Sequence, residues 1–365
     1  MNLIRIFHPV GQGAFYSERH FFNKKEFTIV YDCGSKTISG KRLESKIKST
    51  FHKNHIIDVL FISHFHSDHI NGIEVLKNHC KIKSVVIPYL SDEAKILIKI
   101  TNLIENKDTD SRLLDNPGDF FGNDTSIITI EESNSTQREN VINSDNPVVL
   151  STIKNSQLYP NGTIFQLNSN VLWSYIPINI KHDQRKKQFV KALKKLGLTL
   201  NKINTINKIQ TNKRNIYSAY NSIDGDLNEN SLILFSGEKS TNPMSCFSQT
   251  SIPNCFFNFN LNDLQSGCLY LGDVNLNQIN VISEIENKLI NYLKFIGTIQ
   301  IPHHGSIHNF NSSILQSETK CAVLSYGSNN TYGHPSDCVV GDIVANKVYP
   351  HLITEDQNSM IVQWN

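Results

Sequence analysis

Apolar and polar positions alternate at the start of the chain, then give way to buried runs separated by polar turns. MNLIRIFHPVGQGAFYS alternates and turns at Gly11-Gln12-Gly13, and FTIVYDCGS (27–35) ends in a polar turn, so residues 1–35 predict an antiparallel pair of strands. RLESKIKSTFHKNHI predicts a short helix, with Leu43, Ile47 and Phe51 four residues apart. IDVLFIS (57–63) predicts a buried strand, DHINGIEVLKNHC the helix after it, and SVVIPYL (84–90) another strand closed by Pro88. This strand, turn, helix, strand rhythm is that of an α/β protein.

The pattern loosens after Ser91. DEAKILIKITNLIEN predicts a helix, while TSIITI, PVVLSTI, NGTIFQLNS and LWSYIPI predict strands. KHDQRKKQFVKALKKLGLTL (181–200) predicts a basic amphipathic helix with Phe189, Leu193 and Leu196 on one side. SLILFSG (231–237) and CLYLGD (268–273) resume the strands, and ENKLINYLKFIGTIQIPHHGS predicts a helix and then a strand. The expected organisation is one α/β domain over residues 1–365, with insertions at about 91–158 and 181–225.

The composition suits a globular protein: 365 residues, 39% apolar, 19% charged. A net charge of +2 neither demands nor excludes a polyanionic partner. Seven cysteines without a CxxC pair, and an opening too short for a secretory leader, point to reduced thiols in the cytoplasm. No apolar stretch reaches membrane-spanning length, so no membrane association is expected.

Chemistry concentrates in FISHFHSDHINGIEVL, which crowds His64, His66, Asp68 and His69 at a strand end. His64 and His66 alternate about Phe65 and can point the same way. Asp68 and His69 are neighbours, and a turn at a helix start is what lets both serve one site. Imidazole and carboxylate donors suit Zn²⁺, Mn²⁺ or Fe, and a shared carboxylate permits two ions about 3.5–4 Å apart. Asp273, His303 and Ser325 mark further polar strand ends that can converge on the same edge.

HxHxDH after a hydrophobic strand resembles the signature of the metallo-β-lactamase fold superfamily of metallohydrolases. VGQGAF, YDCGS, NENSLILF, YLGDVN, IPHHGS and SYGSNNTYGHP follow in order and are similar to segments of its ComEC/Rec2-like branch. The resemblance implies an αββα four-layer sandwich and a hydrolase that cleaves DNA or other phosphodiesters. It implies two divalent ions, Zn²⁺ first and Mn²⁺ as the alternative. His64 and His66 would hold one, Asp68, His69 and His303 the other, and Asp273 would bridge them. The superfamily's middle histidine has no counterpart in LWSYIPI; His182 stands nearby, at the start of the basic helix. The chain lacks the membrane channel of full ComEC proteins, so DNA transport is not implied.

Around this set, Asp68 and Asp273 are expected to be catalytic through the metal, and His334 through proton delivery or phosphate contact. His304, Ser306 and Asn330 are candidate substrate contacts, with His304 alternatively orienting a ligand. Asp32 is expected to accept a hydrogen bond from a ligand imidazole, and Gln12 to approach the pocket. Lys187, Lys191 and Lys194, with Lys195, form a cationic stripe suited to a phosphate backbone, or else a solvated helix face. A phosphodiesterase or nuclease is the leading reading. The alternatives are a small-molecule metallohydrolase and a non-catalytic regulatory or interaction protein, with a protein partner or oligomerisation left open.

Overall fold

The computed structural model describes residues 2–104, 111–133, 146–154, 156–169, 172–180, 184–222, 231–241, 243–248 and 264–365. Two sheets face each other. The first runs in the spatial order Leu264–Gln265, Pro243–Ser248, Ile361–Trp364, Asn2–Phe7, Phe15–Phe22, Lys25–Cys33, Ile56–Phe61, Lys81–Pro88, Ser126–Ile130, Gln157–Tyr159. The second runs Tyr349–Ile353, Cys321–Ser325, Ile296–Gln300, Gly267–Tyr270, Leu232–Gly237, Ser174–Asn179, Phe165–Gln166, Val148–Val149.

The apolar runs of the central strands follow from burial on both faces. In Ile56–Phe61, Val59 and Phe61 enter the core between the sheets, whereas Ile57 and Leu60 pack against the outer helices. The second sheet repeats this arrangement: Leu232 and Leu234 face inward, while Ile233 and Phe235 join the outer core with Val281, Ile285 and Val339. Helices therefore cover both outer faces of a two-sheet core, the αββα sandwich expected from the sequence.

The first 35 residues form three antiparallel strands, not two, because Asn23 and Lys24 take positive φ and reverse the chain inside an apparently continuous polar stretch. The first helix, Lys41–Thr50, stops short of the expected end, where Phe51 turns extended and Asn54 adopts positive φ. The helix expected from Glu286 lies earlier, at Val281–Lys288, with Val281, Ile285 and Leu289 buried at four-residue spacing. Among the described residues no helix is long and apolar enough to cross a membrane.

Strand alternation also carries a charge inward. Arg5, fully buried between Leu3 and Phe7, donates from Nε to Glu18 Oε1 at 2.8 Å, from Nη1 to Gln363 Oε1 at 3.1 Å and from Nη2 to the Ser266 carbonyl at 3.1 Å. Glu18 in turn accepts from Tyr270 at 2.9 Å and Ser236 at 2.7 Å. A buried pair whose remaining polar atoms are this well matched avoids the several-kcal/mol penalty of an uncompensated charge.

Helices from the two segments expected as insertions build a separate layer, although Ser126–Ile130, Val148–Val149 and Gln157–Tyr159 of the first segment are strands of the two sheets. Leu97 and Ile100 of Asp92–Ile104 pack with Phe189 and Leu193 of Gln184–Lys195, and with Ile216 and Ala219 of Lys213–Tyr220. Leu196, expected beneath the basic helix, is exposed because the helix ends at Lys195 and the chain turns through Gly197. The helices follow Pro88, which ends a strand parallel to Ile56–Phe61, and Asn179, which ends a strand antiparallel to Leu232–Gly237 and so co-directional with Gly267–Tyr270 two strands away. The helical layer is thus rooted on the same edge as the histidine cluster.

Candidate metal centre

Strands Lys25–Cys33 and Ile56–Phe61 run parallel and end at Asp32 and just before Ser63. In the second sheet, Gly267–Tyr270 and Ile296–Gln300 are also parallel and lead to Asp273 and to His303-His304. Two loops from each sheet therefore meet at one edge.

The turn after Phe61 is held closely. His66 precedes the short helix Ser67–Ile70, which carries Asp68 in its first turn, where helix N–H groups favour a carboxylate. Gly13 and Gly34 pack directly on this helix: a Cβ on either would come within 2.5 Å of the Asp68 carbonyl oxygen. The glycines of GQGAF and DCGS are thus required by close approach of the backbone to the donor loop.

Two compact donor groups result. His64, His69 and Asp273 form one; Asp68, His69 and His304 form the other, with donor atoms in each group within 4.8 Å of one another. All five side chains are buried, and His69 is common to both groups. His69 Nε2 lies 3.2 Å from Asp273 Oδ1, His64 Nε2 3.6 Å from Asp273 Oδ2, and His304 Nε2 3.4 Å from Asp68 Oδ2. None of these buried Nε2 atoms makes an aligned hydrogen bond.

Their opposite ring nitrogens are engaged. His69 Nδ1 donates to Asp32 Oδ2 at 2.8 Å and His304 Nδ1 to the Ser325 carbonyl at 2.9 Å. His64 Nδ1 lies 2.9 Å from Ser63 Oγ and 3.3 Å from Ser231 Oγ. A neutral imidazole that donates through Nδ1 presents a lone pair at Nε2. For His69 and His304 that lone pair faces a carboxylate, an arrangement that asks for positive charge between them. A divalent cation fits the donor chemistry and relieves the orphaned nitrogens.

Electrostatics give the same picture. Burial alone would push the Asp273 and Asp68 carboxyls up. The imidazoles outweigh it, holding Asp273 (through His69, His303 and His64) and Asp68 (through His304 and His69) well below the usual carboxylate range. Burial opposes a charge on His69, but Asp273 and Asp32 together raise it well above its ordinary value. Burial, reinforced by His69, lowers His64 well below its own.

The family resemblance implies His303 beside Asp68 and His69, with His304 adjoining; the donor group formed with Asp68 and His69 holds His304 instead. Both residues have positive φ, 48° and 57°, so the turn swings His304 inward while half-buried His303 faces His334, ring centroids 5.7 Å apart. His66 packs edge-on to His64, with centroids 4.7 Å apart, outside both compact groups. Asp32 takes the expected place, accepting also from the Ser63 backbone N–H at 2.7 Å and Oγ at 2.6 Å.

Asn330 spends its amide inside its own loop, donating to the Gly327 and His334 carbonyls and accepting from the Tyr332 and His334 N–H groups. It shapes the loop rather than reaching outward. Ser306 is buried, and its hydroxyl accepts from the His308 N–H at 3.3 Å, which caps the following turn. Gln12 is buried, its N–H donating to Thr37 Oγ1 at 2.8 Å. Lys187, Lys191, Lys194 and Lys195 are exposed on their helix, away from the donor turn in sequence. His182 lies outside the described residues.

Sequence reasoning missed Ser231 and Gln300. Ser231 Oγ accepts from the Asp273 N–H at 2.9 Å, and Gln300 Oε1 accepts from the Leu271 and Gly272 N–H groups, each at 2.8 Å. Together they hold the Asp273 loop. Their only sequence signal is a polar residue at the boundary of an apolar strand.

Residues 21–132 match the family model of the metallo-beta-lactamase superfamily, a span that includes the whole HxHxDH turn. The helix-covered double sheet is a mixed α/β sandwich of the αββα kind, with histidine and aspartate donors at its edge. Among solved structures, the metallo-beta-lactamase fold protein YhfI from Bacillus subtilis aligns over 100% of both chains, at 9% identity and a TM-score of 0.41. Comparison with curated proteins finds no match.

Proposed function

We propose that the chain is a metal-dependent hydrolase of phosphodiesters, with nucleic acid as substrate and a site of the ComEC/Rec2-like kind. The observation that carries the hydrolase reading is the pair of buried donor groups sharing His69, whose ring nitrogens face carboxylates with no aligned partner. His64, His69, Asp273, Asp68 and His304 would hold two divalent ions, Zn²⁺ or Mn²⁺, with His66 adjoining. Bound there, such ions activate water and polarise a phosphoryl oxygen.

The chain's own groups supply the rest. Asp32 and the Ser325 carbonyl fix the tautomers of His69 and His304. His334 stands beside His303; burial, with the charges of His303 and His304, brings it down to about 4. It is neutral near pH 7 and donates an N–H to a substrate oxygen. Exposed Tyr332 stacks on it at 6.0 Å between ring centroids.

The substrate class rests on the helical layer. Lys191 and Lys195, with Gln188, Ser218 and Ser222, line an open cavity of about 500 Å³ between the helices. Such a basic groove, rooted at the donor edge, suits a phosphate backbone. The test replaces Lys187, Lys191, Lys194 and Lys195 by glutamine. KM for long nucleic acid should rise, and the salt dependence of binding should flatten by about 0.9 in slope for each lost contact to duplex DNA. Hydrolysis of bis-p-nitrophenyl phosphate should be unchanged. Equal losses on both substrates would refute the groove. Absence of diester hydrolysis with Zn²⁺ or Mn²⁺ would refute the substrate class in favour of a small-molecule hydrolase.

A further inference from the structure

A second set of metal-ligating side chains lies across the sandwich from the histidine turn and has no part in the hydrolytic reading. Cys246, on Pro243–Ser248 of the first sheet, meets Cys321 and His351, on Cys321–Ser325 and Tyr349–Ile353 of the second. Their donor atoms all lie within 4.8 Å of one another. Cys321 and His351 are buried and Cys246 is half-buried. Strand register explains the meeting: Val323 pairs with His351, so Cys321 sits on the diagonal of the same inward face, and Cys246 pairs with Gln363 on the opposite sheet.

The surroundings turn polar donors toward the sulfurs. Arg5 Nη1 donates to Gln363 Oε1 at 3.1 Å, which fixes the amide with its nitrogen toward the sulfurs. That nitrogen lies 3.6 Å from Cys321 Sγ and 3.9 Å from Cys246 Sγ. His351 Nε2 is 3.9 Å from Cys246 Sγ. Amide N–H groups aimed at sulfur are the outer support that thiolate metal sites use.

We propose that Cys246, Cys321 and His351 bind one thiophilic metal ion, Zn²⁺ or Cu⁺, that ties the two sheets together. Two sulfurs and one imidazole suit either ion, and distinguish this centre from the oxygen- and nitrogen-rich one at the other edge. Binding releases the two thiol protons and forms two metal–sulfur bonds and one metal–nitrogen bond, with no change of oxidation state. Three protein donors leave Zn²⁺ a fourth position for water, whereas Cu⁺ is satisfied with three.

The test uses the full chain, kept reduced. Titrated with Co²⁺ in place of Zn²⁺, it should develop a thiolate-to-metal charge-transfer band, which imidazole and carboxylate sites cannot produce. Cys246→Ser/Cys321→Ser should abolish the band and hold one ion fewer per chain, and Cys338→Ser, altering an exposed cysteine, should keep both. His351→Gln, which retains both sulfurs, should weaken Co²⁺ binding at least tenfold and serves if the double variant does not fold. In parallel, retention of one Cu⁺ per chain against a chromophoric chelator, lost in the same variants, would assign the site to copper. A folded, reduced wild type with neither the band nor Cu⁺ retention would overturn the proposal. So would a band unchanged in the folded double variant.

Discussion

Asp32 Oδ2 accepts a hydrogen bond from His69 Nδ1 at 2.8 Å, and the far nitrogen of the same ring lies 3.2 Å from Asp273 Oδ1. One imidazole thus joins a carboxylate that orients it to a carboxylate with which it would share a cation. Asp32 is also the acceptor for Ser63, so it ties the end of one strand to the end of the next.

Asp32→Asn keeps the shape but removes the anion that selects the His69 tautomer. Metal affinity should fall by about 10–100-fold, as for other residues supporting a ligand. Asp273→Asn, altering a donor itself, should cost more. Competition with a chelator measures both, and equal small effects would remove Asp273 from the donor set.

His304→Ala should lower metal content markedly, because His304 Nε2 faces Asp68 from within a donor group. His303→Ala should keep more of the metal while reducing turnover, since His303 faces His334. Elemental analysis and kcat on the two purified variants decide the matter. The reverse ranking would return His303 to the ligand position expected from the sequence.

His8 supplies a pH dependence distant from the metal turn. It is buried against Phe15, with Nε2 2.8 Å from Ser17 Oγ, and burial, with a smaller contribution from Lys46, lowers it to about 3. Its unfolded value is about 6.5. Between these values the unfolded chain binds a proton that the folded chain does not, so stability falls as pH drops through this window. His8→Gln can keep the bond to Ser17 without titrating. Its Tm should therefore lose ground to the wild type near pH 7 and recover relative to it toward pH 4. Parallel Tm curves would show that His8 contributes nothing to the acid limb.

Much of the site was legible because its signals are local. HxHxDH after IDVLFI could be read as a strand end turning into a helix, since periodicity changes there within a few residues. Asp32, closing a strand, was recognisable as an acceptor for the same reason. The ordered motifs further along implied the two-sheet sandwich. The choice between His303 and His304 was not legible. Strand alternation sends neighbouring side chains to opposite faces, but both residues have positive φ, where alternation does not apply.

Long-range packing decided the remainder. Nothing near Arg5 in the sequence announces that its guanidinium is buried; that depends on Glu18, Gln363 and Ser266 arriving from three other segments. Helices from Asp92–Ile104, Gln184–Lys195 and Lys213–Tyr220, far apart in sequence, share one apolar core, because each buries its amphipathic face against the others. Cys246, Cys321 and His351 lie far apart along the chain and converge through the register of three strands in two sheets. Periodicity within a segment determines which elements form and which face turns inward. Only the pairing of distant elements determines which side chains meet, because those contacts arise between segments that carry no record of one another in their local pattern.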